Sequence, residues 1–259
     1  MDNHTHKRKS PLMIAAFMSG TGTNLRRILE LQHELGNELF EVAVIFTDTR
    51  DEKKCRAAEI AEEYSIPLVV NDMEEFYADR GQENTKDMTV REEYDLETAA
   101  ELEKREVSVV ALCGYMRLVT QAIYSNYVTL NVHPADLTKK DKDGRRIYAG
   151  LAGANCLKKA ILNGEREVRS TVHIVNGELD GGPILAISPP LPVSAHLKGL
   201  GAEELNKAAE DMQAELKHKG DWIIYPEVIK MIAQGRMKID DDEKVYVDGI
   251  LMKEGFRFV

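Results

Sequence analysis

The chain has 259 residues, 43% of them hydrophobic, enough core material for one large α/β domain or two small ones. A formal net charge of -10 and a pI near 5.3 leave no basic footprint, which excludes nucleic acid as the main partner. Cys55, Cys113 and Cys156 are odd in number and lack C-x-x-C spacing, which argues against a disulfide framework or a zinc site and fits a reducing, cytoplasmic setting. Residues 1–10 are polar and basic and are expected to be disordered. No run of about 18 apolar residues occurs, so no membrane partner is expected.

In chain order, apolar runs alternate with helical patterns: a strand over 12–18, a helix over 24–35, a strand over 41–47, a helix over 52–64 and a short strand over 67–70. This βαβαβ order predicts a parallel sheet. After the first strand comes Ser19-Gly20-Thr21-Gly22-Thr23-Asn24-Leu25. Its backbone N–H groups, added to the helix dipole, suit a phosphate or carboxylate. The same residues would also make a tight turn capped by Thr23 or Asn24. The dinucleotide fingerprint is incomplete, because Leu25 stands where its third glycine belongs, and the P-loop lysine is missing. Asp48, at the end of the second strand, sits where a ribose-binding acid would, so NAD stays as a weakened alternative.

A polar excursion over 71–90 leads to a charged helix over 91–105, then to a strand over 107–113 whose unbroken apolar run predicts burial on both faces. Gly114-Tyr115-Met116-Arg117-Leu118-Val119 follows at the carboxyl edge, where open α/β sheets hold ligands. Its apolar residues suit either a slot or ordinary core. A short helix over 120–126 precedes a strand ending at His133. Residues 138–146 (TKKDKDGRR) read as a solvated loop or hairpin tip, and 151–162 as a helix capped by Asn163-Gly164. Strands over 170–175 and 183–193 should extend the same sheet antiparallel. The stretch 194–220 is charged and helix-prone, 221–234 is a C-terminal helix, and 245–252 is a hairpin turning at Asp248-Gly249. No repeat or linker divides the chain, so 11–259 is read as a single domain, with 11–113 its phosphate-binding half.

The chemistry concentrates in Asn131-Val132-His133-Pro134 and in Gly177-Glu178-Leu179-Asp180-Gly181-Gly182-Pro183. Alternate residues of a strand share a face, so Asn131 and His133 project together before Pro134 ends the strand. Asp180 lies in a glycine-rich turn suited to holding a side chain at a pocket mouth, where it could fix the tautomer of the histidine. Each piece alone is most simply structural. Together, with a phosphate loop on the same sheet edge, they point to acyl transfer without a covalent nucleophile. His173, on the strand before the turn, reads as a packing or supporting residue.

On SGTGTNL (19–25), GYMRLV (114–119), NVHP (131–134) and STVHIVNGELDGGPIL (170–185), the chain resembles the folate-dependent formyltransferase family over nearly its whole length. Its closing pattern, Ile224-Tyr225-Pro226, then Gly235-Arg236 and a Val-Asp-Gly hairpin, is similar to the branch acting on glycinamide ribonucleotide in purine synthesis rather than to the methionyl-tRNA branch. The resemblance implies a Rossmann-like fold, a mostly parallel sheet flanked by helices with an antiparallel C-terminal portion. It implies transfer of a formyl group from 10-formyltetrahydrofolate, the donor cosubstrate, to the amine of glycinamide ribonucleotide, without a metal. Residues 114–259 would form the folate-binding and catalytic half.

Residue by residue, it implies that Gly22, Thr23 and Asn24 hold the substrate phosphate. Met116, Arg117, Leu118 and Val119 would shape the folate slot, and Arg91 would meet the folate carboxylate. Asn131, His133 and Asp180 would be catalytic, the oxyanion being met by the Asn131 amide and a His133 imidazolium favoured by Asp180. Two departures bear on the acceptor. Ala135-Asp136-Leu137-Thr138 and the basic insertion 139–146 replace the family's Ser-Leu-Leu-Pro and glycine-rich loop, and Asp221 stands where the family tends to place a glutamate that contacts the ribonucleotide. They keep open another small amine, such as an amino sugar nucleotide, or a non-catalytic folate- or nucleotide-binding protein. A homodimer, and the roles of the inserts 71–90, 138–146 and 194–220, are also left open.

Overall fold

A computed structural model describes residues 10–259; apart from Ser10, the expected disordered start lies outside them. Leu12–Met18 (β1), Phe40–Thr47 (β2), Leu68–Val70 (β3), Val109–Leu112 (β4) and Val128–His133 (β5) make the parallel part of the main sheet. Glu167–Val168 (β6) pairs outside it. Thr171–Ile174 (β7) and Ile184–Ile187 (β8) extend it antiparallel, as expected. Leu191–Pro192 (β9) returns to pair with β6. Met237–Ile239 (β10), Val245–Val247 (β11) and Ile250–Leu251 (β12) form a small antiparallel sheet turning at Asp248-Gly249, and Phe256–Arg257 (β13) adds a parallel edge to β8. The order across the main sheet is β13-β8-β7-β5-β4-β1-β2-β3.

The helices are Thr23–Glu34 (α1), Ala57–Tyr64 (α2), Met73–Ala78 (α3), Met88–Glu103 (α4), Gln121–Tyr124 (α5), Ala154–Asn163 (α6), Ala202–Leu216 (α7) and Trp222–Ala233 (α8). Successive residues of β1 point to opposite faces of the sheet. Ile14, Ala16 and Met18 join a core with Leu25 and Ile28 of α1 and with Ile224, Tyr225 and Val228 of α8. Ala15 and Phe17 join a second with Phe76 and Tyr77 of α3 and Tyr94 of α4. Each large side chain so buried contributes about 1.5–3 kcal/mol. Exposed ion pairs such as Arg27–Glu30 contribute at most about 1 kcal/mol each, so apolar burial places the sheet at the centre.

Some elements depart from the sequence reading. The expected strand over 183–193 breaks into β8 and β9, because Pro189 and Pro190 supply no ladder N–H. The helix expected from residue 52 begins only at Ala57, after a turn in which Asp51 accepts from the backbone N–H of Lys53. The polar excursion 71–90 contains α3, capped by the Asp72 carboxylate on the N–H groups of Glu74 and Glu75. Asp87 caps α4 in the same way, so that the helix begins at Met88, three residues ahead of the expected start. Between α7 and α8 the chain makes a π-helical turn, Lys217–Asp221.

Candidate active site

β1 lies between β2 and β4, the point at which strand order reverses, and the loops leaving β1 and β4 meet there. The Ser19 N–H donates to the Gly114 carbonyl at 3.3 Å, and the Met116 N–H to the Ser19 hydroxyl at 3.1 Å. The two motif loops therefore form one rim.

In the first loop Gly22 has φ +68, and a Cβ there would fall 2.4 Å from Ile60 Cδ1. Glycine enters α1 at this angle without the backbone strain and crowding that a side chain would bring. No side chain caps the helix, so its first N–H groups stay available to an anion. Asn24 is buried and its Oδ1 has no partner. Asp221 lies beneath this loop, buried, accepting from the Ser170 hydroxyl at 2.5 Å, with Lys217 and the Asn24 amide bearing on it. Burial pushes its pKa up against those three influences. Gly220, in the π turn, lets α8 approach so closely that a Cβ would meet Ser170 Oγ at 2.5 Å. Asp221 thus reaches the loop through Asn24 rather than from an open wall.

In the second loop Met116 and Leu118 are exposed and Val119 is buried. Arg117 Nε donates to buried Asp48 at 2.7 Å, so the acid weighed for a ribose is engaged by an arginine of the rim. Arg91 is 4% exposed; it reaches the Leu118 carbonyl and the Tyr77 hydroxyl, both at 3.4 Å, and lies against the rings of Tyr77 and Tyr94. The Thr120 N–H donates at 2.6 Å to Asp95, whose pKa burial raises to about 6.

The strand-end residues come together as the register dictates: β5 and β7 pair Asn131 opposite His173 and His133 opposite Thr171. The Asn131 Nδ2 lies 3.2 Å from His173 Nε2, and His173 Nδ1 donates to the Ile174 carbonyl at 2.8 Å. Asp180, at φ +50, places Oδ1 3.5 Å from His173 Nε2 and Oδ2 3.6 Å from His133 Nδ1. His133 Nε2 faces the Tyr148 carbonyl at 3.0 Å and Cys156 Sγ at 3.5 Å. With its Nε2–H so engaged, neutral His133 turns the Nδ1 lone pair toward a carboxylate.

Asn131, His133 and Asp180 are therefore one cluster, and His173 is a fourth member. Strand alternation puts His173 on one face of β7 with Thr171, and it is the β5–β7 register that sets it opposite Asn131. Burial lowers the His133 pKa and outweighs the opposing pull of Asp180. The sequence reading expected the charged imidazole; desolvation makes the resting form neutral. For Asp180, burial, which raises the pKa, is outweighed by the adjoining His173 and His133 rings and by the Gly150 N–H at 2.8 Å, so its pKa is lowered.

The insertion 138–146 is a hairpin bridged between Lys140 and Arg146, and it packs on the Asp180 turn. A cleft of about 520 Å³ opens between Lys140, Arg146, Gly181 and the β11–β12 hairpin. Its lining includes neither Asn131 nor His133, so hydrogen-bond geometry rather than cavity size marks the site. Among the described residues no group of three or more His, Cys, Asp or Glu could hold a metal, and no helix is long and apolar enough to cross a membrane.

The Formyl transferase family model matches residues 12–229, most of the chain, including both motif loops and the Asn131–His133–His173–Asp180 cluster. The chain belongs to that family. A phosphoribosylglycinamide formyltransferase of Haemophilus influenzae is 29% identical over 94% of this chain and 97% of its own length. Its counterpart from Escherichia coli is 33% identical over 61% of this chain and 65% of its own length. The structure of a phosphoribosylglycinamide formyltransferase from Coxiella burnetii superposes with TM-score 0.71 at 26% identity, covering 96% of this chain and 100% of that one. The Rossmann-like formyltransferase fold anticipated from the motifs is the one observed.

Proposed function

We propose that this formyltransferase moves the formyl group of 10-formyltetrahydrofolate to the amine of glycinamide ribonucleotide, a step of purine biosynthesis. One observation carries the reading. An uncapped helix N-terminus, with buried Asn24 beside it leaving its Oδ1 unpartnered, shares a sheet edge with the Asn131–His133–His173–Asp180 cluster. A phosphorylated amine needs both an anion cradle and acid–base groups. Gly22, Thr23 and Asn24 hold its phosphate, and Asp221 bears on it through Asn24. The rim from Met116 to Val119 takes the folate, with Arg117 fixed on Asp48 and Arg91 supporting Leu118 from below.

In the reaction the amine attacks the formyl carbon. The Asn131 amide turns from His173 to donate to the oxyanion, a contact of the kind worth roughly 3 kcal/mol. Asp180 offsets the charge gained by the amine, and His133 accepts its proton at Nδ1. That proton passes to the folate nitrogen as its bond to the formyl carbon breaks. One C–N bond forms, one breaks, and one proton moves between the two nitrogens. No residue in this scheme binds a metal, and we place the protein in the cytoplasm, where Cys113 and Cys156 stay reduced. The test is mass spectrometry of the ribonucleotide after incubation with protein and cofactor. A gain of one formyl group supports the reading; unchanged ribonucleotide beside a consumed cofactor would refute it.

A further inference from the structure

The guanidinium of Arg146 donates through Nη1 to the Asp180 carbonyl at 2.6 Å and through Nη2 to the Gly182 carbonyl at 2.9 Å. Both acceptors belong to a turn with little freedom of its own. Asp180 is held at positive φ, and a Cβ on Gly182 would fall 2.1 Å from the Ile174 carbonyl. The planar fork of arginine matches two carbonyls at once, whereas a lysine ammonium has no such preset spacing. The same segment reaches the cluster twice more: the Tyr148 carbonyl holds His133 Nε2, and the Gly150 N–H holds Asp180 Oδ2. The Tyr148 side chain is anchored in turn, its hydroxyl donating to Glu165 at 2.8 Å, with Lys139 paired to the same carboxylate.

We propose that Arg146 is a positioning residue for formyl transfer: it clamps the backbone of the Asp180 turn and so fixes the carboxylate between His133 and His173. The inference rests on the formyl-transfer reading above. It gives the basic insertion a task, supporting the acid–base groups from behind rather than reshaping the acceptor pocket.

The cleft beside Arg146 makes the clamp open to chemical rescue, since its walls include Arg146 and Gly181 and a free guanidinium ion fits in about 520 Å³. Arg146→Ala should lower kcat by roughly 30-fold or more, since a misplacement near 1 Å can cost about 10²-fold, with KM for both substrates nearly unchanged. Guanidinium chloride at concentrations far below those that unfold the protein should restore much of the loss; sodium chloride at equal ionic strength should not. Arg146→Lys keeps the charge and secures the test against a failure to fold: it should melt near the parent temperature yet show lowered kcat. Parent kcat in either folded variant would overturn the proposal, as would a loss confined to KM or one that guanidinium leaves untouched. Absence of transfer by the parent protein itself would instead refute the formyl-transfer reading.

Discussion

His133 directs Nδ1 at the Asp180 carboxylate, 3.6 Å away, while its other nitrogen is taken by the Tyr148 carbonyl. Protonation of Nδ1 would convert a lone pair facing an anion into a charge-assisted contact, yet burial keeps the resting ring neutral. The ring is thus set to receive a proton during the reaction rather than to begin with one.

A pH dependence follows. The His133 pKa lies below its ordinary 6.5, so kcat/KM should rise with pH through an acid limb placed below that value. Asp180→Asn removes the influence that raises it, so the residual activity should show a limb shifted further toward acid. A limb that moves to higher pH in this variant would contradict the electrostatics. For stability the signs agree: both His133 and Asp180 have lowered pKa values in the folded state, the unfolded chain binds protons more readily, and these groups lose stability as pH falls.

Asp95 behaves oppositely. Its pKa, raised to about 6, means that the folded protein holds a proton that the unfolded chain releases, so its contribution declines as pH rises from the usual aspartate range past 6. Asp95→Asn keeps an acceptor for the Thr120 N–H and removes the buried charge. Thermal melting should show a gain at pH 8, of the order of 2 kcal/mol, and little change near pH 4. An equal effect at both pH values would contradict this.

Asn131→Ala removes the donor aimed at the developing oxyanion, and kcat should fall roughly 10²- to 10³-fold with modest change in KM. Steady-state kinetics with both substrates varied separates this from a binding defect, which would appear as raised KM at unaltered kcat.

Gly182→Ala pushes a methyl into the Ile174 carbonyl and should displace the Asp180 turn, lowering both activity and melting temperature. Gly199→Ala is the control, since nothing lies within 4 Å of its added Cβ. Similar melting of the two variants would show that the turn tolerates the crowding.

Much of this was legible in the sequence, and the reasons are physical. β1, β2 and β4 could be read because buried parallel strands leave nearly continuous apolar runs, and Asn131 and His133 because strand alternation fixes their common face. His173 was undervalued because its role depends on which residue of β5 lies opposite, a register that no local pattern reveals. Arg146 looked like one of several solvated charges; only the packing of its hairpin on the Asp180 turn distinguishes it from Arg145. Asp221 was found by position, but its burial against Ser170 depends on the π turn and on the absence of a side chain at Gly220.

The most direct test is steady-state turnover, followed by the absorbance of the deformylated folate product, with glycinamide ribonucleotide, with an amino sugar nucleotide and with no acceptor. Rapid turnover with the ribonucleotide alone is the predicted result. Preference for the amino sugar nucleotide, or an equal rate without any acceptor, would contradict the account.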